Sequence, residues 1–153
     1  AQALAKIQSY KFPVSYNDLT LAYFKGTGAR TAGKLGKAML NFSANPKDST
    51  AIEILRANSS FVGTLGTTCV ATMLRAGHAE NALPQSATAT VNCRVFPGAG
   101  VEETLSQLKV TVNNPAVEFV LLDEVTETDA SPLRQDVIVA LQKAIFFKYQ
   151  ARN

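Results

Sequence analysis

The sequence of 153 residues predicts an α+β domain. Three observations carry that prediction. The first third places apolar residues at helical spacing between Gly, Ser, Asn and Pro breaks. At Leu65 the texture changes to β-branched, alternating runs. Beyond Gly100 an amphipathic helix, an apolar run and a second helix follow. Hydrophobic residues make up 46% and charged residues 18%, which excludes a disordered chain.

Each element has a local reason. Ala1 to Tyr10 carries Leu4 and Ile7 on one helical face, and Pro13 stops it. Asn17 to Phe24 reads as a short helix with Asn17 or Asp18 as its cap. Arg30 to Leu40 is a Gly-interrupted helix. Asp48 to Arg56 follows Pro46 and sets Ile52 and Leu55 on one face. Thr67 to Ala76 and Ser86 to Phe96 are strands. In the second, Ala87, Ala89, Val91, Cys93 and Val95 share one face, and Thr88, Thr90, Asn92 and Arg94 the other. The loop between them, His78 to Gln85, is long for a hairpin. Pro97-Gly98 ends the strand. Val101 to Val112 aligns Val101, Leu105, Leu108 and Val112, with Glu102 and Glu103 at the favourable end of the helix dipole. Val117 to Val125 reads as a strand. Ser131-Pro132 starts a final helix expected to bury Leu133, Val137, Leu141 and Ala144.

With residues 17–64 set aside as a helical insertion, the order is α-β-β-α-β. That is a ferredoxin-like βαββαβ plait whose first strand is missing. Residues 1–16 are its first helix and connection, 65–130 its strands and second helix, and 131–153 a C-terminal helix. The chain begins inside an element, so a fragment of a longer protein is expected, with any targeting segment lying upstream or never having existed.

Charge excludes some functions. Fifteen basic against twelve acidic residues give +3, too little for a nucleic-acid footprint. The loose basic cluster from Lys25 to Lys37 reads as a solvated face. No apolar run approaches the ~20 residues that span a bilayer. Gly26-Thr27-Gly28 precedes no GK[ST] and reads as a turn, not a phosphate loop. One histidine cannot build a histidine-rich zinc site, and no GxSxG elbow offers a triad. Cys69 and Cys93 have like parity on paired strands. Buried reduced thiols are expected there, because a cross-strand disulfide demands tight geometry. Taken singly, His78 reads as a loop residue and Asn81 as a turn former. Arg94 reads as half of a surface salt bridge or as a grip for a carboxylate.

Together these residues carry a resemblance. The run "TTCVATMLRAGHAENALPQSATATVNCRVFPG" combines a Thr-rich strand, a Gly-containing loop, Asn81-Ala82-Leu83-Pro84, an alternating strand and Arg94 to Gly98. With "AQALAKIQSYKFP" upstream and "SPLRQDVI" downstream, it resembles the lid, or dimerisation, domain of the dinuclear zinc peptidases and amidohydrolases. Carboxypeptidase G2, aminoacylase, acetylornithine deacetylase and succinyl-diaminopimelate desuccinylase are members of that group. The resemblance covers essentially the whole chain, and the insertion resembles that of the larger carboxypeptidase-type members.

The resemblance implies a homodimer joined edge to edge through Thr67 to Ala76, with the lid of one subunit reaching the active site of the other. It implies that Asn81 hydrogen-bonds a peptide or N-acyl amino-acid substrate and that Arg94 binds its carboxylate. The family's lid histidine falls before Ala1, so its role does not pass to His78, which is expected at most to touch substrate beside Asn81. The family's two zinc ions and its general-base Glu belong to a catalytic domain whose motifs this sequence lacks. The chain alone is therefore expected to be inactive and to hold no cofactor. A stand-alone module binding an amino-acid-like anion through Asn81 and Arg94 is the alternative.

Overall fold

The computed structural model describes residues 1–122 and 127–150, the last five as backbone. In order these are α1 (Gln2–Ser9), α2 (Asp18–Gly28), α3 (Gly33–Ala44), α4 (Ser49–Arg56), a 3-10 turn at Val62–Thr64, β1 (Thr68–Ala76), β2 (Ala87–Arg94), α5 (Val101–Val112) and α6 (Gln135–Gln150). The fold is α+β, as the sequence predicts. It holds two separate apolar clusters, one inside the helical insertion and one beneath the hairpin.

The insertion is built by caps and aromatic packing. The Asn17 side chain accepts from the Thr20 N–H at 2.9 Å and from the Thr20 hydroxyl at 3.0 Å. Asp48 accepts from the Ala51 N–H at 3.0 Å. Each cap contributes about 1 kcal/mol by satisfying a free helix donor. Phe24, Met39, Phe42 and Leu55 are fully buried, and the Phe24 and Phe42 rings meet edge-on at 5.2 Å between centroids. Gly26-Thr27-Gly28 is not a turn but the last turn of α2. Its glycines sit where α2, its connection and α3 come close. A Cβ at Gly28 would lie 2.8 Å from Met39 Cβ, and one at Gly36 would lie 1.7 Å from the Thr31 carbonyl oxygen. Lys25, Arg30, Lys34 and Lys37 are all exposed, which is a solvated face.

Entry to and exit from the insertion are stitched together. The Ser15 N–H donates to the Leu65 carbonyl at 2.9 Å, and the Arg56 guanidinium donates to the Phe12 carbonyl. Gly66 is buried at φ +148°, a conformation side chains disfavour, and its missing Cβ would sit 2.8 Å from the Pro13 carbonyl oxygen. A larger residue would force the two chain segments apart.

In the plait, α1 packs on α5 and on β1. Ile7, Phe12, Leu108 and Val112 form its buried centre, with Cys69, Val91, Cys93, Val117 and Phe119 packed against it. The ends of α5 are satisfied by charge. Glu127 accepts from the Val101 N–H at 2.6 Å at the N-terminus, and the Lys6 ammonium donates to the Val112 carbonyl at 2.6 Å at the C-terminus. Both follow the helix dipole. β1 and β2 pair antiparallel from Thr68 opposite Arg94 to Ala76 opposite Ala87, with an irregularity between Ala71 and Met73. There the Thr72 hydroxyl donates to the Thr90 carbonyl at 3.3 Å.

Three expectations are corrected. Cys69 and Cys93 are not free thiols: they form a disulfide. Parity gave a shared face, but register makes them direct partners, with Cα atoms 4.1 Å apart. Closing a loop of sequence separation 24 is worth about 3 kcal/mol in the chain-entropy account. The strand expected at 117–125 is absent over 117–122, and 123–126 lie outside the described residues. Val117 and Phe119 are half-buried and Glu118 and Val120 exposed, so strand alternation is present. Among the described residues no neighbouring strand completes a ladder, because the only sheet is β1–β2. Finally, α6 starts at Gln135 rather than after Ser131, and it buries little. Leu133 is half-buried, while Val137, Leu141 and Ala144 are exposed, for no other described element covers them. Before its first turn Arg134 pairs with Asp136, whose carboxyl it holds below the ordinary range.

The insertion's close packing gives a graded expectation. Phe42→Ala should cost about 3–5 kcal/mol. Gly36→Ala should cost about 1–3 kcal/mol through forced backbone movement. Gly63→Ala, where the added Cβ meets open space, should stay within about 0.5 kcal/mol of the parent. Urea unfolding measures all three, and equal values for the two glycine variants would remove the α2–α3 contact from the account.

Candidate functional site

The hairpin positions all three candidate residues. Its root rests on the Ile7/Leu108 cluster, and its arms run outward with Val70, Met73 and Leu74 at 51%, 54% and 67% exposure. Gly77, at φ +75°, turns the chain out of β1 into the connecting loop. The Ala82 N–H reaches the Ala79 carbonyl at 3.5 Å, which puts Glu80 and Asn81 at the centre of a turn. Asn81 therefore serves as the turn former its type suggests, with its amide exposed at the far end of the hairpin. His78 is exposed three residues earlier in the same loop, and Leu83, two residues after Asn81, is 90% exposed.

Arg94 stands at the other end. It faces Thr68 at the hairpin root and is exposed. Among the described residues no carboxylate lies within ion-pair distance of it to form the surface salt bridge considered from sequence. A guanidinium can take a carboxylate in a bidentate grip.

The structure brings His78 and Asn81 into one loop but does not bring Arg94 to them. From Arg94 to Ala87, where the loop begins, is a span of about 23 Å at ~3.3 Å per strand residue. The length of β2 thus separates Arg94 from the start of the loop that carries His78 and Asn81.

One cleft, of about 390 Å³, lies between the Phe12–Tyr16 segment, the end of β2 and α5. Ser15, Tyr16, Thr67, Glu103, Thr104 and Gln107 supply its polar lining, and none of the three candidate residues lines it. Sequence reading did not single it out, since its walls come from three distant segments. No group of three or more His, Cys, Asp or Glu among the described residues could hold a metal ion. The one histidine is in an exposed loop and both cysteines are bonded to each other, so these residues do not fit a zinc site. No helix of the described residues is long and apolar enough to cross a membrane.

Comparison with known proteins adds the family. The chain is 34% identical over 79 residues to the N-fatty-acyl-amino acid synthase/hydrolase PM20D1 of Xenopus tropicalis, covering 52% of this chain and 15% of that protein. It is 38% identical over 66 residues to PM20D1 of Mus musculus, covering 43% of this chain and 13% of that protein. The matched region is thus a small part of either relative's length. No solved structure matches. Residues 1–120, which take in the insertion, the hairpin and α5, match the family model described as the peptidase dimerisation domain. The chain therefore belongs to the peptidase dimerisation domain family.

Proposed function

We propose that this chain is the dimerisation and substrate-contacting lid of a longer, zinc-dependent hydrolase of peptide or N-acyl amino-acid amide bonds. It pairs with a second copy through the outer edge of β1. The observation that carries this reading is that edge. β1 runs Thr-Cys-Val-Ala-Thr-Met-Leu before its first charge at Arg75, it is largely exposed, and β2 alone pairs with it among the described residues. Such an edge is a template for another strand, and a two-fold pairing joins the two hairpins in one sheet. The name of the PM20D1 relatives, N-fatty-acyl-amino acid synthase/hydrolase, supports an N-acyl amino acid as the substrate class.

Zinc in this reading is held outside these residues, and the chain's own part is binding. Asn81 offers an amide that can donate and accept, suited to an amide bond, and His78 stands beside it. Arg94 offers a charge-assisted grip for the carboxylate. Their separation gives each end of the hairpin its own task. The root contacts substrate near the body, and the tip reaches a site beyond the chain, such as that of the partner subunit. The same separation leaves the stand-alone anion-binding module without a shared pocket.

The 153-residue chain should sediment as a dimer at tens of micromolar, and Val70→Lys with Thr72→Lys should give monomers by placing like charges across the seam. A wild-type monomer at that concentration would sink the dimer reading.

In the longer enzyme, Arg94→Ala should raise KM by about tenfold to a hundredfold with little change in kcat, because a carboxylate is held alike in ground and transition states. Asn81→Ala should lower kcat by about a hundredfold, as for a donor placed at the reacting amide. Steady-state kinetics on an N-acyl amino acid reads both, and unchanged constants in the two variants would exclude these residues from substrate contact.

A further inference from the structure

The hairpin is held to the body by very little. It has two strands and no third among the described residues, and a two-stranded sheet alone is marginal in water. Its register is irregular between Ala71 and Met73, so pairing beyond that point is not fixed by an unbroken ladder. A one-residue slip there would turn every side chain of the arm to the opposite face. Its outer arm, Ala71 to Ala76, is exposed throughout. What restrains the arms lies at the root, where Cys69 and Cys93 are direct partners, bonded, and packed on the Ile7/Phe12/Leu108/Val112 cluster.

We propose that the Cys69–Cys93 disulfide is a redox-responsive latch that holds the hairpin in register and against the body. Both cysteines are half-buried, so their sulfurs seat on the core without being sealed from a reductant. The reductant is a dithiol of the thioredoxin class. One of its thiolates attacks a protein sulfur, the Cys69–Cys93 bond breaks, and a mixed disulfide forms. Its second thiolate then displaces the protein sulfur. Two electrons and two protons pass to the protein as Cys69 and Cys93 thiols, and the reductant leaves as its own disulfide. The reduced hairpin keeps the apolar contacts of its two cysteines but loses the covalent tie. The arms beyond the root then fray, while the insertion, with its separate core, does not. This latch is independent of the substrate contacts proposed above.

Hydrogen exchange of the full chain, oxidised and after treatment with dithiothreitol, at a concentration where sedimentation shows both forms to be monomers, tests it. Thiol titration of the unfolded chain should count no free group before treatment and two after. On reduction, the amides of 70–76 and 87–92 should exchange at least tenfold faster, with α2, α3 and α4 unchanged. The double variant Cys69→Val, Cys93→Val keeps apolar side chains on the core and cannot cross-link. It should exchange like the reduced chain whether or not dithiothreitol is present. Hairpin protection equal to that of the oxidised chain, in either the reduced chain or the valine variant, would overturn the latch. So would two free thiols in the untreated chain. A uniform increase across the insertion as well would mark general destabilisation and also refute it.

Discussion

A pair of β-strands in water cannot support itself, and the architecture of this chain answers that constraint. The hairpin has one buried root and two exposed arms. α1 and α5 are brought together to give that root an apolar seat, through Ile7, Phe12, Leu108 and Val112. The charged contacts at the two ends of α5 hold the helix that forms half of the seat. The disulfide adds a covalent tie at the same level. Everything that reaches outward, from Val70 to the Asn81 loop, depends on this one junction.

The division of labour between the two cores follows. The insertion buries its own aromatic cluster and does not lend it to the hairpin. It meets the plait through the Ser15–Leu65 backbone hydrogen bond, through Arg56, and through Leu65 and Val14, whose side chains pack on its cluster. The outward surface is therefore supported by a small cluster, while the larger one stabilises a neighbour. A lid needs rigid placement of its root and freedom at its tip, and the distribution of burial along β1 matches that need.

Much of this was legible in the sequence, for identifiable reasons. The helices of the insertion announce themselves through their breaks: Asn17, one of two caps considered, does cap α2, while Asp48, read as the start of a helix, proves to be its cap. The hairpin follows from alternation, and the α5 face from Leu108 and Val112. What failed needed long-range knowledge. Gly26-Thr27-Gly28 looks like a turn until α3 presses on it. The disulfide depends on register, and register is set across a ten-residue loop that parity arguments do not cross. The segment 117–122 has the pattern of a strand, yet a pattern becomes a strand only when a neighbour supplies hydrogen bonds. The apolar face of α6 is plain in the sequence; burial was inferred from it, and burial requires a second surface. The candidate residues were found through a motif, and the distance that parts Asn81 from Arg94 could not come from spacing alone.

The stitch between Ser15 and Leu65 has one more consequence. Because the chain leaves the plait and returns to it at hydrogen-bonding distance, the forty-eight residues of the insertion, 17–64, hang from a single joint on the plait. Such a segment behaves as a cassette. Its excision would leave the remaining chain a short gap to bridge between two residues whose backbones are already hydrogen-bonded, and its replacement by a different folded unit with close termini would ask little of the strands and their supporting helices. Kinship among lids of this type can thus survive large differences in length, with the novelty confined to what hangs from that joint.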